Sequence, residues 1–320
     1  MIIVTGGAGF VGSNLIKLLN EKGHKDILLV DSFSKSGVWK NILDTEIYDT
    51  LNYKKGIEYL EAKVEKIEKV EVVFHIGANA DVLVDDADIM LEDNYEHSKF
   101  WFEFSKERNI PFIYASSSAV YGNSESFSVS KKDEKPHNEY AFSKLLFDAY
   151  VRKRLLRCEN LVVGYRFFNI FGPGEFHKGK NASLPYRFFD FIVNKGYIDL
   201  FEDEIKRDYV YVEDVCRILY DTWQREDIGS GIYNLGSGNA ISHRELANLV
   251  VESVKEFCPT LKIENGKEIV FIEMPQKLKK KFQFLTIAER LPVWVAERTT
   301  DNENKIREYI EYLCRWKSGA

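Results

Sequence analysis

Val4-Thr5-Gly6-Gly7-Ala8-Gly9-Phe10-Val11-Gly12 carries glycines at G-x-x-G-x-x-G spacing, directly after the apolar run Ile2–Val4 and before a helical pattern from Ser13 to Asn20. Between a strand and a helix this spacing has a mechanical meaning. Gly6 can make the turn, Gly9 lets backbone approach a pyrophosphate, and Gly12 lets the helix pack closely on the strand. The helix N-terminus then offers free N–H donors and positive potential to an anion. Asp31, 19 residues beyond Gly12, ends the next apolar run, where a carboxylate can hold adenosine ribose hydroxyls. Asp31 alone favours NAD over NADP by repelling a 2′-phosphate. Ser32, Lys35 and Lys40 follow closely and can offset that repulsion, or simply solvate a loop.

Outward from this loop, Ile27–Val30, Val70–Phe74, Phe112–Tyr114 and Leu161–Tyr165 are short runs suited to a sheet covered on both faces. Helical patterns alternate with them, notably 140–155, where Phe142, Leu145, Leu146 and Tyr150 fall near one face. The alternation predicts an α/β fold with a doubly wound parallel Rossmann-type sheet. After Phe171-Gly172-Pro173-Gly174 the rhythm breaks, with no clear strand until Asp199-Leu200-Phe201 and another at Tyr209–Val212. Ser242-His243-Arg244-Glu245 reads as a capping box opening a helix that buries Leu246, Leu249, Val250 and Phe257. The tail from about Glu264 is charged and mixed. The expected division is a dinucleotide-binding domain over 1–170, with 207–235 returning to it. A smaller, discontinuous substrate domain takes 171–206 and 236–320.

The chain has 320 residues, with 45% hydrophobic and 29% charged, an ordinary globular composition with ample length for a core. Its net charge of −6 argues against nucleic acid as a main partner. No apolar run approaches a membrane span. The N-terminus enters directly into a strand, without the charged leader of a secretory signal. Cys158, Cys216, Cys258 and Cys314 lack metal-ligand or disulfide-framework spacing, so no metal is expected and a reducing cytoplasm fits best.

The chemistry is carried by Tyr140 and Lys144, a Y-x-x-x-K pair on a predicted helix. Residues four apart share a helix face, so the ammonium can sit near the phenol and favour phenolate. Such a phenolate can take the proton of a sugar hydroxyl as hydride leaves the same carbon. Upstream, Tyr114-Ala115-Ser116-Ser117-Ser118-Ala119-Val120-Tyr121 ends a strand, where open sheets place their site groups. Ser117 is the serine expected to hydrogen-bond the reacting oxygen.

Together these residues resemble the extended short-chain dehydrogenases that act on nucleotide sugars. The likeness is closer still to the ADP-glycero-manno-heptose 6-epimerases within that family, and it runs from residue 1 to about 285. Met1–Phe10, Tyr165–Pro173 and above all Gly174-Glu175-Phe176-His177-Lys178-Gly179-Lys180-Asn181-Ala182-Ser183 carry it. Phe201-Glu202, Lys206–Tyr211 and Lys277-Leu278-Lys279 extend it. The resemblance implies a tightly held NADP, with NAD as the alternative, and inversion of C6 of a heptose through a ketone. It makes Lys178 a second acid/base, opposite Tyr140, which a one-faced dehydrogenase would not need. A solvated loop lysine is the bland reading of Lys178.

Cofactor contacts implied by the resemblance are Gly6, Gly9, Phe10, Val11, Gly12, Asp31, Ser32, Asn94, Tyr140, Lys144, Ile170 and Lys178. Substrate contacts implied are Asn169, Lys180, Arg187, Phe201, Glu202, Asp203, Glu204, Arg207 and Phe282. Arg207 suits a pyrophosphate because its fork binds two oxygens; its bland role is pairing with Asp208 or Glu213. Lys277, Lys279, Lys280 and Lys281 read mainly as a solvated face. A homo-oligomer, a pentamer by resemblance, is expected. The chain departs from the family at Gly77–Asp81, at Phe282 where tyrosine is usual, and at Pro292–Val295.

Three other readings compete. A UDP-hexose 4-epimerase shares Ser117, Tyr140 and Lys144 without requiring Lys178, whereas a 4,6-dehydratase needs acidic groups where Ser118 and Ala119 stand. A redox sensor on the same fold is the non-enzyme reading, since fold does not fix function; it is disfavoured because both Tyr140 and Lys144 are present.

Overall fold

The computed structural model describes residues 1–34, 36–81, 84–264, 266–279, 283–299 and 301–318, with the side chains of Lys277 and Leu278 excluded. The strands are β1 (Ile2–Thr5), β2 (Ile27–Asp31), β3 (Asp49–Asn52), β4 (Val72–His75), β5 (Phe112–Ser117), β6 (Val162–Phe167), β7 (Asn169–Phe171), β8 (Ile198–Phe201), β9 (Lys206–Tyr211), β10 (Gly231–Leu235), β11 (Ala240–Ser242) and β12 (Ile269–Ile272). The helices are α1 (Phe10–Glu21), α2 (Ile57–Val64), α3 (Ala87–Met90), α4 (His97–Glu107), α5 (Glu139–Arg152), α6 (Leu184–Lys195), α7 (Val212–Gln224), α8 (His243–Phe257), α9 (Gln276–Lys279), α10 (Val293–Ala296) and α11 (Asn302–Ser318).

A seven-stranded sheet in the order β10-β6-β5-β4-β1-β2-β3, every pair parallel, forms the centre. Its strands are apolar toward both faces. Ile2, Val4, Leu29 and Phe74 meet Leu15, Ile16, Val215 and Leu219 of α1 and α7. Ile3, Leu28, Val73 and Phe112 meet Leu60, Trp101, Phe102 and Phe147 of α2, α4 and α5 on the other side. The α/β doubly wound fold read from the sequence is therefore the fold observed. Register places Thr5 opposite Val30 and His75, and Ser117 opposite Phe167. Parallel pairing thus gathers the carboxyl ends of these strands along one rim, the place where such sheets bind ligands.

Two small sheets, β11-β9-β7 and β12-β8, lie outside the central one. They pack with α6, α8 and α11 around a separate core that includes Phe188, Ile192, Leu246, Val250, Tyr309 and Leu313. The capping box at Ser242 forms as read: the Ser242 hydroxyl accepts from Glu245 N at 3.0 Å, and the Glu245 carboxylate accepts from Ser242 N at 2.7 Å. Leu246 and Val250 are buried, with Leu249 and Phe257 packed against them.

Among the described residues there is no strand between Gly174 and β8, in keeping with the sequence, and helix α6 occupies part of that stretch. The charged tail contains α11, whose Ile306, Tyr309, Ile310 and Leu313 recur at helical spacing and are buried. Helix α5 buries Ala141, Lys144, Phe147, Asp148 and Val151 rather than the apolar set around Phe142, which is exposed. Asp148 explains the rotation: it joins a buried ion pair with Arg166 of β6, and that contact turns the helix.

Candidate active site

At the rim, Gly6 has φ +66, a left-handed conformation that glycine adopts without strain. A Cβ on Gly12 would lie 2.1 Å from the Gly6 carbonyl oxygen, so α1 can approach the turn only with glycine there. The first strand is tied across the sheet by Thr5, whose hydroxyl lies 2.8 Å from His75 Nδ1 and accepts from Gly77 N at 3.0 Å. Asp31 accepts from Ala8 N at 3.0 Å and from Ser32 N at 2.7 Å. Burial pushes its carboxyl above the ordinary range, and these amides partly hold it down. Asp31 thereby braces the glycine turn, in addition to facing the cavity as the spacing predicted.

A cavity of about 480 Å³ opens along this rim. Its walls join the glycine turn and Asp31 to Ser117, Tyr140, Lys144 and Lys178. Ser116 and Ser117 come from the end of β5; Tyr140 and Lys144 come from the first turns of α5, which the Asn138 side chain caps by accepting from Ala141 N at 2.8 Å. Burial pushes the Lys144 ammonium down to about 8, against the opposing charge of Asp148. Burial also pushes the Tyr140 phenol up, while its hydrogen bond with Ser117 pulls it back in part. The expected lowering of the phenol by Lys144 is thus absent from the protein alone. Desolvation dominates at the phenol.

The Lys178 segment lies over the glycine turn. The Lys178 ammonium sits 4.9 Å from the centroid of the Phe10 ring, and His177 Nδ1 is 3.1 Å from Asn41 Nδ2. Asn41 donates in turn to the Ala8 carbonyl at 3.1 Å, and Asn14 donates to the Pro173 carbonyl at 2.8 Å. A segment some 160 residues away in sequence is stitched to the loop by side-chain amides (|i−j| 159 for Asn14 and Pro173).

Phe10, Val11, Ser32 and Ile170, read as cofactor contacts, also line the cavity. Other expected contacts do not. Asn94 is buried beside the site: its carbonyl accepts from Asn79 N at 2.7 Å and its amide donates to Ser143 Oγ at 3.0 Å. It joins the Gly77–Asp81 segment to α5 instead of facing the cavity. Asn169 is spent on the Asp208 carbonyl at 2.8 Å and Thr286 Oγ1 at 3.1 Å, and Lys180 is exposed to solvent. Arg187 and Arg207 come together around His243, away from the cavity wall. Arg207 is buried and pushed down to about 10 by desolvation. Its side chain donates to the carbonyls of Gln283 and Lys206, not to Asp208 or Glu213. Asp208 points the other way and accepts from Ser237, Gly238 and Ala288 amides. In the 201–204 stretch, Glu202 is exposed, Phe201 is half-buried, Asp203 pairs with Lys279 and Glu204 with Lys206. Phe282 and Lys35 lie outside the described residues.

Sequence reading missed several residues here. His75 bridges Thr5 and Ser98 Oγ (2.8 Å), and burial with the Lys144 charge holds it well below the ordinary imidazole range. Lys54 pairs with Asp93, and both line the cavity. Glu175 is fully buried. Only Glu175, three residues before Lys178, carried a local signal. Among the described residues, no cluster of His, Cys, Asp and Glu is placed to hold a metal ion, all four cysteines are free, and no helix is long and apolar enough to cross a membrane.

Comparison with known proteins adds to this geometry. The sequence pattern of the NAD dependent epimerase/dehydratase family matches residues 2–236. The structure is similar to that of ADP-L-glycero-D-manno-heptose-6-epimerase from Helicobacter pylori, at 30% identity, covering 98% of this chain and 95% of that one, with a TM-score of 0.81. It is also similar to UDP-glucose 4-epimerase from Thermotoga maritima, solved with UDP-glucose, at 25% identity over 100% of this chain and 99% of that one, with a TM-score of 0.77. UDP-N-acetylglucosamine 4-epimerase from Methanobrevibacter ruminantium M1, in complex with UDP-N-acetylmuramic acid, covers 99% of this chain and 98% of that one at a TM-score of 0.81. At 23% identity it speaks for the fold alone.

Proposed function

This chain belongs to the NAD dependent epimerase/dehydratase family, and we propose that within it the protein is a nucleotide-sugar epimerase inverting C6 of ADP-glycero-manno-heptose. The observation that carries the reading is Lys178, which lines the same cavity as Ser117, Tyr140 and Lys144. Inversion through a ketone needs a proton acceptor for one epimer and a proton donor for the other. Two basic side chains from different segments meet that need. The 30% identity to the H. pylori heptose epimerase supports it further.

A dinucleotide fits the residues present: a glycine turn with no room for a Cβ, a carboxylate at the end of β2, and a tyrosine–lysine pair at the other end of one cavity. When bound, the dinucleotide would supply an oxidised nicotinamide able to accept a hydride from the sugar carbon and to give it back, held by the glycine turn, Asp31 and Lys144. Tyr140, as phenolate, takes the hydroxyl proton from one epimer; Lys178, as ammonium, gives a proton to the ketone oxygen as the other epimer forms. Ser117 hydrogen-bonds that oxygen and the phenol. We assign the cofactor as NADP, with NAD as the alternative, because Ser32 and Ser34 flank Asp31 on the cavity wall and can bind a 2′-phosphate. We assign the substrate portion to 171–206 and 236–320; the separate core around α6, α8 and α11 supports this. Arg187 and Arg207 would meet the diphosphate there.

The test is to incubate purified protein with ADP-heptose and UDP-glucose separately and resolve epimers by NMR. The C6 epimer should appear from ADP-heptose alone. Conversion of only the UDP sugar would overturn the heptose assignment in favour of a 4-epimerase, which the Thermotoga likeness keeps as the second reading.

The hydrogen bond from Ser117 also gives a pH prediction. It favours the charged phenol, so its loss raises the Tyr140 pKa further. Because phenolate is the active base, Ser117→Ala should move the acid limb of the kcat/KM profile to higher pH. A limb that stays in place would separate Ser117 from the base.

A further inference from the structure

Lys178 lies in a short helical turn, Phe176–Asn181, one side of which meets the glycine turn through Phe10 and Asn41. On its outer side the segment meets α11, the last helix. Phe176 stacks on Trp316 with ring centroids 4.4 Å apart and planes 18° from parallel, and packs edge-on against Tyr186 at 5.7 Å. Immediately before it, the fully buried Glu175 accepts from Ser183 N and Ser183 Oγ at 2.6 Å each and from the Tyr309 hydroxyl at 3.0 Å. Helix α11 is itself fixed by Ile306, Ile310 and Leu313 in the core. Asn302, at its start, donates to the Tyr209 carbonyl.

We propose that α11 is a clasp on the Lys178 segment, with Trp316 and Tyr309 acting as positioning residues that hold the Lys178 ammonium at the cavity. This inference rests on the reading of Lys178 as the second acid/base. Two points distinguish the clasp from ordinary packing. Trp316 is 52% exposed and is not among the side chains of the core around α11, yet its ring stacks on Phe176. Tyr309 spends its hydroxyl on the carboxylate three residues before Lys178, and the charge of Lys178 helps keep that buried carboxylate ionised. A side chain held within a fraction of an ångström by such supports can lose a large factor in rate when they loosen.

The experiment uses the full-length enzyme with its cofactor. Trp316→Ala and Tyr309→Phe should each lower kcat for epimerisation by about tenfold, with KM and cofactor retention unchanged. Trp316→Phe, which can still stack on Phe176, should restore most of the loss. Lys178→Met is run beside them. If it abolishes epimerisation while Trp316→Ala and Tyr309→Phe turn over like the parent, the clasp is overturned and the second acid/base stands. If Lys178→Met is fully active, both fall. A rise in KM at unchanged kcat in the α11 variants would also overturn the clasp, because it would place α11 in substrate binding.

Discussion

Tyr140→Phe is expected to lower kcat about a thousandfold while leaving the bound cofactor in place, and Lys178→Met should do the same to epimerisation. A positioned acid or base contributes about 10²–10⁴ in rate, and the substitution removes the phenol oxygen that Ser117 hydrogen-bonds at the cavity wall. The phenylalanine ring keeps the shape of the wall, so folding and cofactor binding should survive. Cofactor content is read from nicotinamide absorbance of the denatured protein, and turnover from NMR of the epimers. A Tyr140→Phe enzyme with a third or more of the parent rate would remove the phenol from the chemistry. If Lys178→Met kept full epimerisation with Tyr140→Phe inactive, a single base would serve both faces and the 4-epimerase reading would gain.

The electrostatics of the site sharpen that expectation. Burial pushes the phenol up and the Lys144 ammonium down to about 8, so the two are driven apart, the phenol away from neutral pH and the ammonium toward it. The phenol therefore needs further stabilisation of its charged form to act as a base near working pH, where proton transfer is most effective. The helical neighbour does not offset burial by itself. The phenol relies as well on the Ser117 hydroxyl, which the serine run at the end of β5 supplies.

How much of this was legible in the chain depends on the distance over which each signal acts. The glycine spacing, the Y-x-x-x-K pair and the Ser242 capping box are local patterns, and each appears where the spacing put it. The likeness around Gly174–Ser183 brought Lys178 forward, and the cavity wall contains it. What could not be read was pairing across the fold. Lys54 meets Asp93, Asn14 meets Pro173 and Asn94 meets Asn79 and Ser143 only after the sheet is assembled. Helix α11 failed for a different reason. Its buried Ile306, Tyr309, Ile310 and Leu313 do recur at helical spacing, but charged residues on the other face dominate its composition. In α5 the apolar residues misled, since the buried face is set by an ion pair and includes Lys144.

That ion pair carries a large stability effect. Asp148 and Arg166 are both wholly buried, and Arg166 donates to Asp148 from Nε at 3.0 Å and from Nη2 at 2.9 Å. Asp148 also accepts from the Tyr114 hydroxyl and Ser116 Oγ, each at 3.0 Å, while Glu134 takes a further bond from Arg166. Removing one partner of such a pair leaves a buried charge without compensation, which typically costs about 3–5 kcal/mol. Asp148→Ala should therefore lower the stability of the protein by about that amount in urea unfolding at neutral pH. Because Asp148 lies one turn beyond Lys144, it also fixes α5 against β5 and β6, so activity should fall with stability. Asp148→Asn keeps the shape, leaves Glu134 paired with Arg166, and should lie between the parent and the alanine variant. A loss below about 1 kcal/mol for Asp148→Ala, the size of an exposed ion pair, would mean that water reaches the guanidinium and that packing alone seats the helix bearing Tyr140.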